Sequence, residues 1–296
     1  MLRGMPAVHI HQIYYSPQQI LDPGFTVLDN TANPRPDWFE YWPMRSFLLR
    51  DGLDETAFYG FLSPRFKQKT NLDAADVQRF IAGCAADTEV VLFSPSIHNA
   101  AFYWNVFEHG DAEHPGLMAA TEKFFARTRQ PSLENAVSDS RNTVHSNFFV
   151  AKPRFWRAWL ALNEQLFHIA EDAADTLGQQ LRQTTTYRGS ENVQLKIFLM
   201  ERIATWILMN DASFAVCAHD PFAARSRIYK LPLALVCDAL KIAYATQHRE
   251  QYKEAFALVS QLRKSWTRQI RLGDALRVGA IHRSLQRLKS YWDKKT

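Results

Sequence analysis

Val8-His9-Ile10-His11-Gln12-Ile13-Tyr14-Tyr15 is dominated by β-branched and aromatic side chains and stops at Ser16-Pro17. It reads as the core of a strand spanning Ala7–Tyr15. Five later runs share this texture and end mostly at Pro, Ser, Asp or Asn: Phe25–Leu28, Ala57–Leu62, Glu89–Phe93, His145–Ala151 and Phe214–Ala218. Helix-compatible stretches lie between them, over Trp38–Arg50, Ala74–Ala85, Ile97–Glu108, Gly116–Arg127, Arg154–Gln183 and Asn192–Met209. Strands alternating with helices predict an α/β fold with a mostly parallel central sheet flanked by helices. After Pro221 the texture becomes purely helical. Phe256, Val259, Leu262, Trp266 and Ile270 form one apolar stripe, and Ile281, Leu285, Leu288 and Trp292 form another. The expected organisation is an α/β domain over 1–220 and a basic, all-helical C-terminal extension over 221–296.

Composition excludes several classes. The 296 residues are 47% apolar and 22% charged, which fits a globular protein with a sizeable core and not a disordered or coiled-coil chain. Gly is scarce, at 11 residues, and neither a Gly-x-Gly pair nor a Gly-x4-Gly-Lys run occurs. The dinucleotide fingerprint and the P-loop are therefore absent, since both need glycine for close backbone approach to phosphates. Cys84, Cys217 and Cys237 are far apart and form no Cys-x-x-Cys, so neither a disulfide framework nor a zinc ribbon is expected and a reducing compartment fits.

The net charge of +5 is unevenly placed. Gln261 to Thr296 carries ten basic residues against Asp274 and Asp293. An amphipathic basic helix bearing Trp266 and Trp292 suits contact with a membrane surface, and it holds no recognised nucleic-acid reader motif. The longest apolar run, Leu231 to Ala245, is broken by Asp238 and Lys241 and is too short to span a bilayer. Met1 to Ile13 lacks the apolar stretch of a signal peptide. A cytoplasmic location, peripheral at the inner membrane, is the expectation.

Several short blocks carry a resemblance. His11-Gln12-Ile13-Tyr14 resembles the His-Gln-Ile-aromatic first strand of GT-A-type sugar transferases, notably a mannosyltransferase-like family that uses Asp-x-Asp. Phe39-Glu40-Tyr41-Trp42-Pro43-Met44-Arg45, then Phe58-Tyr59-Gly60-Phe61-Leu62-Ser63-Pro64-Arg65-Phe66, is similar to a transferase-like family of bacterial capsule and O-antigen synthesis. Ser146-Asn147-Phe148-Phe149-Val150-Ala151-Lys152-Pro153, a Trp-rich helix and Glu201-Arg202 extend the likeness, which spans Val8 to Trp206 in scattered blocks. It implies a GT-A-like sheet, a nucleotide-sugar donor, and a carbohydrate or lipid-linked acceptor. The alternative is a non-catalytic relative that binds glycan or a partner enzyme of the same pathway.

Asp-x-Asp, which holds a divalent metal against the leaving diphosphate in such enzymes, occurs nowhere in the chain. No cofactor is therefore assigned, and cations must take the metal's place. Arg65, Lys67 and Lys69 follow the third strand, with Arg45 and His98 as additions; Arg suits a diphosphate through its two-pronged donor geometry. Asp29 and Asn30 follow a strand where a ribose or base is held in nucleotide folds, or they simply make a turn. His11, Gln12 and Ser63 are placed with the substrate by the resembling strands, and Arg202 by its neighbour. His9 and His11 share a strand face, but two imidazoles without a third ligand make weak metal evidence. Glu108-His109-Gly110-Asp111-Ala112-Glu113-His114 gathers five metal-type side chains between two helices. Glu40 and Glu201 are the catalytic candidates, Glu201 as acceptor ligand or as base for the acceptor hydroxyl. Glu201 and Arg202 sit in an apolar helix but diverge by about 100°, so each needs a partner from elsewhere. Asn147 is unusual for a strand and is placed on the acceptor side.

Overall fold

The computed structural model describes residues 6–50, 52–95, 97–187, 191–223 and 231–262. The chain divides into two compact units, Met1–Ala224 and Arg225–Thr296.

The first unit is built on a six-stranded mixed sheet. Its strands are β1 (Val8–Tyr14), β2 (Thr26–Asp29), β3 (Phe58–Leu62), β4 (Val90–Leu92), β5 (Phe149–Ala151) and β8 (Val216–Ala218), in the order β2-β1-β3-β5-β4-β8. β1 runs parallel to β2 and β3, and β4 runs parallel to β8. β5 is inserted antiparallel between β3 and β4. A separate hairpin pairs β6 (Thr184–Tyr187) with β7 (Glu191–Gln194).

All six strands expected from the sequence enter this sheet. His145–Ala151 contributes less than its apolar texture suggests, because pairing begins only at Phe149. Ser146 and Asn147 just before it are both left-handed, with φ of 59° and 53°, a conformation that cannot continue a strand. Two expected helices are broken, the second of them by the hairpin. The expected helix over Arg154–Gln183 divides into α6 (Pro153–Glu171) and α7 (Thr176–Leu181). The one expected over Asn192–Met209 becomes β7, α8 (Leu195–Met200) and α9 (Ile203–Asn210). Thr184-Thr185-Thr186-Tyr187 is a β-branched run whose χ1 stiffness favours a strand.

Side chains alternate across the sheet, and each face buries its own cluster. On one face Ile10, Phe58, Leu62, Val91, Phe93, Phe148 and Val150 meet Phe66 of α2 (Phe66–Thr70) and Ala74, Val77 and Ile81 of α3 (Ala74–Ala82). α3 starts at a capping box, in which Asp73 and Asp76 satisfy each other's backbone N–H groups. The other face carries Ile13, Tyr59, Phe61, Val90, Leu92, Phe149 and Ala151. These pack against α1 (Tyr41–Leu48), α4 (Val106–Glu113), α5 (Leu117–Arg127) and α6–α9. Gly60 lets β3 and β5 approach closely, since a Cβ there would lie 2.8 Å from Val150 Cγ2.

Cys84, just past α3, and Cys217 on β8 form a disulfide across a sequence separation of 133, with Cα atoms 6.2 Å apart. This corrects the expectation drawn from cysteine spacing: the sheet brings distant cysteines together, and sequence distance sets no limit on that.

In the second unit, α10 (Leu231–Gln247) buries Asp238 and Lys241, the two charges that interrupt the apolar run, while Leu235 and Val236 are exposed. Residues 250–262 are helical and bury Phe256. Nearly all of the basic stretch 261–296 lies outside the described residues. Among the described residues, no helix is long and apolar enough to cross a membrane.

Candidate active site

β5 runs against its neighbours, so its beginning lies at the same sheet edge as the carboxyl ends of β1 and β3. Four chain segments meet there. They are the turn before α1, helix α2, the Ser146–Asn147 elbow before β5, and the junction between α8 and α9. Ligands of open α/β sheets bind beyond this edge.

A cavity of about 330 Å³ opens at the ends of β1 and β2, lined by Ile13, Tyr15, Asn30, Asn33, Pro36, Phe39 and Glu40. Its size suits a small molecule. Its lip is aromatic, with Tyr15 47% and Phe39 50% exposed, and the Asn30 amide donates to Asn33 Oδ1 at 3.4 Å.

The backbone that delivers Glu40 is strained. Phe39 adopts φ 46°, rare for a bulky side chain, and such outliers persist only where the surroundings over-determine them. Here the anchors are on either side. Trp38 is fully buried and donates its indole N–H to Glu171 at 2.8 Å. Tyr41 is equally buried and donates its hydroxyl to Glu164 at 2.5 Å. With Trp38 and Tyr41 fixed in the core, Phe39 turns out to the cavity mouth and Glu40 into its wall.

Glu40 does not stand alone. Burial and the charge of Glu201 push its carboxyl up to about 7, opposed by the Lys69 ammonium and the Asn147 amide. Burial also raises Glu201, opposed by Arg202 and Lys69. Desolvation outweighs the available positive charge in both cases. Lys69 donates to Ser146 Oγ at 2.8 Å and lies over the Phe148 ring at 5.3 Å. Asn147 is fully buried; its Nδ2 contacts Met200 Sδ at 3.6 Å, and its Oδ1 has no hydrogen-bond partner among the described residues. The elbow itself is braced, as Val144 exchanges hydrogen bonds with Thr205 Oγ1 and His145 N–H donates to Ser94 Oγ.

Glu40, Glu201 and Asn147 thus come together, with Lys69 as the cation beside them. Asn30 lines the adjoining cavity, whereas the Asp29 carboxylate accepts from Thr31 N–H and faces solvent. Glu201 lies at the break between α8 and α9, not inside one continuous helix. His98 is half-buried in the turn after β4, and Ser63 is buried with its carbonyl accepting from Gln12 Nε2 at 3.2 Å.

Other candidates have structural partners. Gln12 also accepts from Asp22 N–H, so it laces two loops together. His11 stacks between Phe47 and Phe61, and burial, then His9 and Arg50, lower it to about 4, which leaves it neutral. Arg45 is held by both oxygens of Glu164 at 2.6 and 2.7 Å and lies over Trp42 and Phe167. Arg202 donates to the carbonyls of Val106 and Phe198 at 2.9 and 2.6 Å, a buried helix-to-helix tie. Arg65 bonds Gln68 at the surface and Lys67 pairs with Asp73 at 3.7 Å. All six side chains thus make contacts within the protein itself.

The Glu108–His114 cluster is not a loop. Glu108 to Glu113 belong to α4, Asp111 accepts from Gly116 and Met118 N–H ahead of α5, and the His114 ring stacks on Phe198 at 3.5 Å. Among the described residues no group of three His, Cys, Asp or Glu side chains could hold a metal ion. The turns after β3 and β4 carry Ser63-Pro64-Arg65 and Ser94-Pro95, with no carboxylate.

Sequence reasoning missed Tyr15, Asn33 and Phe39. The only sequence signal for Phe39 is its position next to Glu40, since nothing local announces a left-handed phenylalanine. No protein-family model, curated protein or solved structure matches the chain.

Proposed function

We propose that the chain is a GT-A-type glycosyltransferase that moves a sugar from a nucleotide-sugar donor to a carbohydrate or lipid-linked acceptor in bacterial surface polysaccharide assembly. The observation that carries this reading is the position of Glu40, in the wall of a cavity at the carboxyl edge of the sheet and grouped with Glu201, Asn147 and Lys69. Two carboxyls, an amide and an ammonium are the donors and acceptors that recognise a polyol beside a phosphate. The strand order, with one antiparallel strand inside a parallel set, further supports the reading. Metal-independent transfer, and attachment to the inner membrane surface through 261–296, belong to the same proposal.

In this reading the nucleoside enters between Tyr15 and Phe39, with the Asn30 and Asn33 amides at its polar edge. Lys69 meets the charge that develops on the leaving diphosphate. An ionised carboxylate of the Glu40–Glu201 pair takes the proton of the acceptor hydroxyl. The acceptor oxygen bonds to the anomeric carbon, and the bond from that carbon to the phosphate oxygen breaks. A carboxyl that titrates near neutrality is well matched to this transfer.

Calorimetry with a panel of nucleotide sugars, with and without manganese, tests the reading. A metal-independent response to one of them, lost in Lys69→Met and kept in Arg65→Ala, is expected. Glycan binding without any nucleotide response would instead favour a non-catalytic binding protein.

A further inference from the structure

We propose that the Cys84–Cys217 bond is a thiol-exchange site, opened by a low-molecular-weight thiol and closed again by the corresponding disulfide, and that it works as a clasp on strand β8. The bond borders two surface hollows. Cys84 lines one of about 820 Å³ at the amino edge of the sheet, with Ile81, Ala85, Thr88 and Lys152. Cys217 lines the other, of about 410 Å³, with Arg79, Phe80, Gly83 and His219. Both hollows have room for a small thiol. The two cysteines are half-buried, at the margin of the apolar cluster around Val91 and Phe93 and not enclosed by it. Disulfides open to solvent exchange with a thiol pool more readily than buried ones, because a thiolate reaches a sulfur without the fold having to open. A reducing compartment, the expectation from cysteine usage, supplies such thiols.

The exchange runs in two steps. A thiolate of the reductant attacks one sulfur of the bond and forms a mixed disulfide there, while the other cysteine leaves as a thiolate and takes up a proton. A second thiolate attacks the reductant's own sulfur in the mixed disulfide and releases the remaining cysteine, which is protonated in turn. Two small thiols are oxidised to one disulfide, and the protein disulfide is reduced to two thiols. What this releases is an edge strand. β8 pairs only with β4 among the described residues, through Val90–Val216, Val91–Cys217 and Leu92–Ala218. Beyond that ladder, the Ala215 carbonyl accepts from Glu89 and Val90 N–H at 2.9 and 3.1 Å, and His219 N–H donates to the Leu92 carbonyl at 2.9 Å. Val216 is 36% exposed. Three pairs on one side hold a strand weakly, so the covalent bond carries much of what keeps β8 in place. The inference is independent of sugar transfer.

The test uses the full chain and glutathione as the probe. After quenching and alkylation in denaturant, mass spectrometry counts the free thiols: Cys237 alone in the closed form, and Cys84 and Cys217 as well in the open one. The rate of opening should rise in proportion to glutathione and change by less than roughly twofold when urea is added well below the unfolding transition, as direct attack on the folded chain requires. Oxidised glutathione should close the bond again. Opening that occurs only as urea unfolds the chain would overturn the exchange site, since a sealed strut behaves that way. Hydrogen exchange reads the clasp. The His219 amide should exchange about tenfold faster or more once the bond is open, and amides of β1 and β3 should keep their protection. Unchanged exchange at His219 in the reduced chain would overturn the clasp, and Cys84→Ser offers the same comparison without a reductant.

Discussion

The Nζ of Lys69 and the Oγ of Ser146 are 2.8 Å apart and join helix α2 to the elbow that opens strand β5, 77 residues later in the chain. This bond places a cation that acts on both Glu40 and Glu201. The electrostatics of the site therefore depend on how β5 sits in the sheet, and the consequences can be measured.

Glu40 should give stability a pH dependence of defined sign. Its folded carboxyl titrates at about 7 against an ordinary value of 4.5. The folded state therefore holds the proton more tightly, and the group's contribution is fully present below pH 4.5 and falls as pH rises to about 7. At about 1.4 kcal/mol per pH unit, the loss has an upper bound of about 3–4 kcal/mol. Urea midpoints measured across this range should fall less steeply in Glu40→Gln than in the parent chain.

Gly110→Ala should destabilise, against the ordinary gain of alanine in a helix. A Cβ at 110 would lie 2.5 Å from Arg202 Nε, 2.6 Å from Leu117 Cδ2 and 2.7 Å from Arg202 Cζ. The guanidinium is tied to Val106 and Phe198 carbonyls and cannot easily withdraw. Overpacking of this kind costs about 1–3 kcal/mol, more than the roughly 1 kcal/mol that helix propensity returns. A denaturation midpoint at or above that of the parent would refute the crowding.

Arg45 should prove a stability residue. Its bidentate pair with Glu164 is largely shielded, at 18% and 21% side-chain exposure, and Tyr41 shares the same carboxylate. Arg45→Met and Glu164→Gln should each cost about 1–3 kcal/mol, and the double variant should cost clearly less than their sum. Additive losses would show that the two side chains are not coupled.

The Cys84–Cys217 bond closes a long loop and fastens the edge strand β8 to the end of α3. Cys84→Ser, Cys217→Ser and the double variant should therefore lose the same stability, about 2–4 kcal/mol. Reductant should lower the unfolding temperature of the parent chain and leave the variants unaffected. Unequal losses in the two single variants would mean that one cysteine contributes by packing and not by the bond.

Phe39→Gly should separate stability from binding. Glycine accepts φ 46° without penalty, so relief of strain should offset much of the loss of a half-exposed ring and leave stability within about 1 kcal/mol of the parent. The same change removes half of the aromatic lip, and affinity for any planar ligand of the cavity should drop. Stable protein with full affinity would place the ligand elsewhere.

Much of the α/β architecture could be read from the chain because it rests on local signals. Runs such as Phe58–Leu62 and Val90–Leu92 are apolar on both faces, as strands covered by helices on each side must be. The β6–β7 hairpin was less visible, because a helix pattern on either side outweighs four residues of strand preference. Among site residues, Glu40, Glu201 and Asn147 were conspicuous as polar groups in apolar surroundings. Arg45 and Arg202 were equally conspicuous, and sequence alone could not tell a cation that serves a ligand from one bound to Glu164 or to two carbonyls.

What the sequence determined by itself is the six strands of the central sheet, the alternation of helices between them and the short list of polar residues that must find partners, because periodicity and burial are properties of neighbouring residues. Which of those residues meet was decided only by the tertiary structure. β5 runs antiparallel between β3 and β4, and this reversal carries Asn147 and Ser146 to the edge where Glu40, Lys69 and Glu201 already lie. Strand direction is set by the packing of the whole sheet, and no residue on β5 encodes it.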